Sequence, residues 1–341
     1  MFSLSGTSGG KAAEVKNLHN DMLIRRAQAF RPGTASNHRT QIELFTTFCV
    51  YINVDHINPS SETLCLYIEY LAQNLSSPQS VANYFSGVRT LHKYLQQDCP
   101  ALDSFEVSLM LRACNLTMYN RPLQRLPITM DILNHVVQAT SNLGLEGKVF
   151  KCAVLFGYYG FLRQSNFSVA SARDFDSTRH TCRQDIFFSP PGIVILIKWS
   201  KTSQTSQSHQ LVPIPEIPGS HLCPVEAYRD MVNHIPTVHK DQPLLVLPDH
   251  ITGKYQPVTS RWLANFLDVT LETLGYDSKL YSLHSLRRGG ATESYRQSVD
   301  FLHIKRHGGW SSDAFWGYIT SPSLSDSPVS AALASKAVSV K

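Results

Sequence analysis

The 341-residue chain lacks any long hydrophobic run. Its richest apolar stretch, residues 152–162, is broken by Gly157 and Gly160, and the next, 192–197, has six residues against roughly 20 for a bilayer-spanning helix. A transmembrane helix is therefore excluded. Residues 1–10 carry neither a basic start nor an apolar core, so no secretory leader is expected. Cysteine is sparse: seven residues (49, 65, 99, 114, 152, 182 and 223), an odd number without a CxxC pair. That pattern predicts reduced thiols of an intracellular protein, serving mainly as core filler. There is no GxxxxGK[ST] phosphate loop, no DDE-like carboxylate set and no internal repeat. Charge of one sign is missing too. The 31 basic and 26 acidic residues give +5; up to residue 125 the counts are 11 and 9, and beyond it 20 and 17, so the halves carry +2 and +3. No basic tail exists, and a polyanion would have to be met by a surface that folding assembles.

What is present reads as a globular protein. With 43% hydrophobic and 17% charged residues the chain suits two domains of ordinary size. Residues 1–120 carry helical periodicity. Ile42, Phe45, Phe48, Cys49 and Ile52 form an apolar stripe on a helix over about 35–53. Ser60 or Ser61 caps a second helix through Leu64, Tyr67, Ile68 and Leu71, and a third follows Pro78 with Val81, Tyr84, Phe85, Val88, Leu91 and Tyr94. A fourth over about 104–119 and an earlier one over 11–30 complete a small bundle. Residues 121–128, with two prolines and no period, read as a linker. The second domain, 129–320, mixes helices at 129–143, 147–159, 224–233, 260–274, 285–297 and 312–319 with strands at 185–189, 193–199 and 210–214. The expected class is mainly α with a small β-sheet. The stretch 321–341 is a Ser- and Ala-rich tail.

The densest chemistry lies late in the chain, in HSLRRGGAT (284–292) and HGGWSSDAFWGYI (307–319). His284 and Arg287 are three apart and share a face at a helix start. An imidazole titrates near neutrality and a guanidinium offers a planar fork of donors, so the pair suits a phosphate. Other features have plainer readings. His303 and His307 have zinc-like spacing but lack the HExxH glutamate. The pairs Gly289–Gly290 and Gly308–Gly309 fit turns or close helix packing better than a phosphate cradle.

These two runs resemble the last catalytic boxes of the tyrosine recombinases, the phage-integrase type of DNA strand-exchange enzyme. LFGYYGFLRQSN (155–166) supplies Arg163 where the family has its first arginine, and the polar stretch after 197 supplies Lys201, with Lys198 as a weaker alternative. The resemblance, covering residues 31–319, thus fills six catalytic positions in order: Arg163, Lys201, His284, Arg287, Trp310 and Tyr318. The tryptophan box and its short gap to the tyrosine are most similar to eukaryotic mobile-element recombinases of the DIRS, Ngaro and crypton groups. One departure is Asn166, where the family usually carries an acid.

The resemblance implies a SAM-like helical core-binding domain before the catalytic domain. It implies that Tyr318 attacks DNA to give a 3′-phosphotyrosyl bond, with Arg163 and Arg287 on the phosphate oxygens, Trp310 as a further donor, His284 as base and Lys201 as general acid. Neither metal nor other cofactor is implied. The implied partner is double-stranded DNA held by a homotetramer, with 329–340 as an arm docking onto a neighbouring protomer and no membrane partner. Arg39, Arg89 and Lys93 are the backbone-contact candidates of the bundle, Arg89 and Lys93 being four apart on one face. A eukaryotic host would place the protein in the nucleus. Two other functions fit the same residues: a DNA-binding protein descended from a mobile element and no longer catalytic, and a type IB topoisomerase.

Overall fold

The structure, a computed structural model, describes residues 8–27, 29–30, 32–118, 125–199, 209–235, 239, 241–249 and 251–319. The chain divides into two compact units, residues 1–122 and 123–341.

Five helices among the described residues build the first unit: α1 (Ser8–Ala27), α2 (Pro32–Tyr51), α3 (Ser61–Asn74), α4 (Pro78–Leu95) and α5 (Phe105–Thr117). Serines start three of them. The Ser60, Ser77 and Ser104 side chains accept from the backbone N–H groups of Thr63, Ser80 and Val107, satisfying donors that the first turn leaves open. The apolar stripes meet as the spacing predicts. Phe45 and Cys49 from α2 pack with Leu64, Tyr67, Ile68 and Leu71 from α3 and Val81, Phe85 and Val88 from α4. Burial of each such side chain contributes about 1.5–3 kcal/mol.

The second unit is organised on α7 (Gly144–Tyr159), whose residues from Val149 to Tyr158 are nearly all buried. A helix apolar all round has to be central. It packs against α6 (Met130–Thr140), α9 (Pro224–His234) and α11 (Leu283–Arg296). The one-turn α8 (Gln164–Phe167) follows it. Strands β1 (Ile186–Phe188), β2 (Gly192–Ile197) and β3 (Gln210–Pro215) form an antiparallel sheet in sequential order, with Ile195 opposite Val212. A hairpin of β4 (Val246–Pro248) and β5 (Tyr255–Pro257), the helix α10 (Ser260–Thr273) and the short α12 (Phe301–His307) complete the unit. The mainly helical class with one small sheet is as expected. All seven cysteines are free thiols.

Three local expectations change. Residues 125–128 are not linker: Leu126 and Ile128 donate backbone N–H groups to Leu280 and Ser285 carbonyls, and Ile128 is buried. The polar, proline-containing stretch concealed one apolar residue that the second core takes up. The helix expected at 312–319 is a 3-10 segment, Asp313–Tyr318, because aromatic packing against α11 and α12 outweighs the weak helical propensity of this Gly-containing run. Helix α12 and the β4–β5 hairpin, too short for a periodic signal, had no counterpart in the sequence reading. Lys201 and the 329–340 arm lie outside the described residues.

Candidate active site

Helix α7 ends at Gly160, and the next residue, Phe161, takes a left-handed backbone with φ 46°. A bulky side chain adopts that conformation at a cost of about 1–2 kcal/mol. Here the buried ring is held 4.6 Å from His307 and 6.2 Å from Trp310, and the turned carbonyl receives Nη1 of Arg287. The bend also delivers Arg163 to the N-cap of α8. Asn166, buried in the same turn, accepts the Arg163 backbone N–H at 2.9 Å through Oδ1, and its Nδ2 lies 3.5 Å from the Trp199 carbonyl just beyond β2. An acid would serve the first contact as well; only an amide can also donate to the second.

Helix α11 carries the remaining cations. The Gly289–Gly290 pair lets it approach α7: a Cβ at residue 290 would stand 2.2 Å from the Tyr158 carbonyl, and one at 289 would stand 1.9 Å from that of Ile128. Close packing, not a phosphate cradle, accounts for these glycines. Arg287 is 2% exposed, and its Nη2 donates to the Gly308 carbonyl at 2.8 Å. Burial, and then the neighbouring Arg163, disfavour its charged form. The Trp310 ring compensates in part, lying 3.9 Å from the guanidinium carbon. The Gly309 backbone, at φ 63°, turns the chain between Gly308 and Trp310.

Tyr318 closes the arrangement. Its ring centre is 5.3 Å from the Arg287 guanidinium carbon, 5.0 Å from the Trp310 ring and 4.9 Å from the His284 ring. Thr292 Oγ1 donates to its carbonyl at 3.1 Å, Phe315 is buried beneath, and Lys305 pairs with Asp313 at 3.0 Å. Desolvation, followed by Arg287, Arg288 and Arg163, holds the His284 pKa down to about 4, so the imidazole is neutral at pH 7. Several donors around the phenol have no acceptor among the described residues: Nε of Arg287, Nε and Nη1 of Arg288, and Nε1 of Trp310. Buried donors without acceptors are uncommon in folded proteins and mark a place where an anion would be welcome.

No family model matches the chain. It is 23% identical over 265 residues to an integrase/recombinase xerD homolog of Selenomonas ruminantium, an alignment covering 77% of this chain and 73% of that protein. Among solved structures, the Tn1549 transposon integrase in complex with circular intermediate DNA superposes with a TM-score of 0.59 at 13% identity, covering 93% of this chain and 97% of that one. The XerH site-specific recombinase bound to its difH substrate gives 0.55 at 14% identity, over 87% of this chain and 75% of that one. The chain shares the fold of these recombinase structures, and its sequence is similar to that of the xerD homolog.

Of the six positions that the recombinase resemblance picked out, the structure brings five together: Arg163, His284, Arg287, Trp310 and Tyr318. The sixth, Lys201, falls outside the described residues. Lys198, the weaker alternative, is committed elsewhere. Its ammonium pairs with buried Asp185 at 2.6 Å and donates to the Ser177 carbonyl. His307, once a conceivable zinc ligand, places Nε2 2.8 Å from the Tyr159 carbonyl. In the first unit Arg39 and Lys93 are exposed, whereas Arg89 pairs with Asp103 and donates to the Leu102 carbonyl at 2.7 Å. The residue-by-residue reading missed Arg288 and Thr292. Their spacing of four and eight from His284 put all three on one helical stripe and was the available signal.

Proposed function

We propose that this protein is a site-specific DNA recombinase of a mobile element, cutting and rejoining strands through a 3′-phosphotyrosyl bond at Tyr318. The observation that carries the reading is the phenol of Tyr318 packed among Arg287, His284 and Trp310 within one chain, surrounded by donors that lack acceptors. A phosphodiester repels nucleophiles by its charge, and transfer is accelerated by fixed positive donors on the developing charge. In this reading the phenolic oxygen attacks phosphorus, its proton passes to neutral His284, and the bond from phosphorus to the 5′-oxygen breaks. Lys201 protonates the departing oxygen, a role that rests on the family resemblance. A 5′-hydroxyl of a second DNA then reverses the chemistry on a new partner.

The DNA complexes formed by XerH and by the Tn1549 integrase support duplex DNA as the substrate, and the transposon origin of the latter supports the mobile-element role. The HGGW box and the eight-residue step from Trp310 to Tyr318 (318 − 310) support the eukaryotic mobile-element branch, and with it a nuclear location. Assembly as a homotetramer on DNA, with 329–340 reaching a neighbouring protomer, belongs to the same reading. For a test, the full-length protein is incubated with nicked duplexes of randomised sequence, and covalent adducts are recovered under denaturing conditions and sequenced. Wild type is expected to enrich one site with the peptide containing Tyr318 attached to DNA, and Tyr318→Phe to yield no adduct. Adducts that persist in Tyr318→Phe would overturn the assignment.

A further inference from the structure

Arg288 is outside the residue set that the resemblance supplies, yet the fold puts it at the same tyrosine. It follows His284 by four residues and precedes Thr292 by four, so the three share one stripe of α11. Both flanking residues touch Tyr318: the His284 ring lies 4.9 Å from the phenol ring, and Thr292 Oγ1 binds the tyrosine carbonyl at 3.1 Å. The position between them shares their face of α11; the Arg288 charge acts on His284, and Tyr318 in turn acts on Arg288. Its Nε and Nη1 are buried and have no hydrogen-bond partner among the described residues. Arg287 differs, since its Nη1 and Nη2 are bound to the Phe161 and Gly308 carbonyls.

A desolvated guanidinium without an acceptor is unfavourable in the free protein, and burial accordingly lowers the Arg288 pKa. Arg229 and two nitrogens of Arg287 are met by carboxylates or carbonyls, whereas Arg288, like Arg183, leaves two buried nitrogens unpaired among the described residues. We propose that Arg288 is a further catalytic residue, donating from its unpartnered nitrogens to the phosphate that Tyr318 attacks. This rests on the recombinase reading above. Arg287 then has a divided task, with two of its nitrogens fixing the active-site turn while Arg288 answers to the DNA.

The test compares wild type with Arg288→Met in full-length protein, on the nicked duplex recovered by covalent capture. The duplex is prepared once with a phosphodiester and once with an uncharged methylphosphonate at the scissile position. Loss of a donor to developing charge is expected to slow adduct formation on the phosphodiester by about 100-fold or more. On the methylphosphonate, which is uncharged before attack and whose transition state carries one negative charge fewer than the phosphodiester's, the variant should come within about threefold of wild type, a difference of under one tenfold step in rate. Its thermal midpoint should equal or exceed that of wild type, because the two buried donors removed have no partner among the described residues. An unimpaired variant, an equal loss on both substrates, or a lower midpoint accompanied by equal loss would overturn the inference. Absence of adducts from wild type itself would instead defeat the recombinase reading, and Arg288's role with it.

Discussion

At the scale of single residues, Arg287 shows how one side chain serves fold and chemistry together. Its guanidinium is enclosed by the Trp310 ring and the carbonyls of Phe161 and Gly308, so removing it leaves two buried acceptors open and the aromatic face uncovered. Arg287→Ala should therefore lower unfolding free energy by about 2–4 kcal/mol, measured by urea denaturation, in addition to any effect on DNA cleavage. Arg288→Met should not do so, and the contrast separates the two arginines. His284 provides a pH signature. Its folded-state pKa of about 4 lies below the ordinary value of 6.5, so the unfolded chain binds the proton more readily. The resulting contribution to stability is complete above pH 6.5 and is lost as pH falls toward 4. Thermal midpoints of His284→Gln should decline less steeply than those of wild type between pH 7 and 5. Parallel slopes would contradict the lowered pKa.

At the scale of elements, the site depends on two short joints. One is the Phe161 turn, which ends α7 and delivers both a carbonyl to Arg287 and the following Arg163. The other is the 3-10 segment Asp313–Tyr318, held by a small aromatic core of Phe161, Trp310 and Phe315. The ion pair from Lys305 to Asp313 contributes little, since Asp313 is 83% exposed and exposed pairs give about 0–1 kcal/mol. Phe315→Ala should thus cost about 3–5 kcal/mol locally, read as accelerated proteolysis near residue 316, whereas Asp313→Asn should leave cleavage by protease almost unchanged. Gly290→Ala offers a further check. A methyl group 2.2 Å from the Tyr158 carbonyl would force α11 away from α7, with destabilisation of about 1–3 kcal/mol in denaturant titration.

At the scale of the whole molecule, the modest charge of +5 means that the proposed DNA binding would come from local placement. Arg39 and Lys93 are exposed in the first unit and available to phosphates, while Arg89 is held by Asp103. Arg39→Ala and Lys93→Ala should each reduce the slope of log affinity against log salt by about one, and Arg89→Ala should change it less. Truncation after residue 321 is expected to prevent assembly of the proposed tetramer on DNA, assayed by native gel and light scattering, while the monomer retains its thermal midpoint. Full assembly by the truncated chain would remove the arm from the account.

The sequence by itself determined the helical stripes, because a period near 3.6 in apolar residues has one economical burial, and Phe45, Leu64, Ile68 and Phe85 are buried accordingly. It also supplied a candidate reactive set, since the boxes around residues 163, 287, 310 and 318 are local and resemble those of the tyrosine recombinases. What only the tertiary structure decided is how those boxes meet. The left-handed Phe161, the engagement of Arg287 by carbonyls 126 and 21 residues away, and the withdrawal of Lys198 into an ion pair with Asp185 each depend on contacts between distant segments. The same is true of Arg288: that its Nε and Nη1 have no partner among the described residues is a property of the space around them, and a string of letters records only neighbours along the chain.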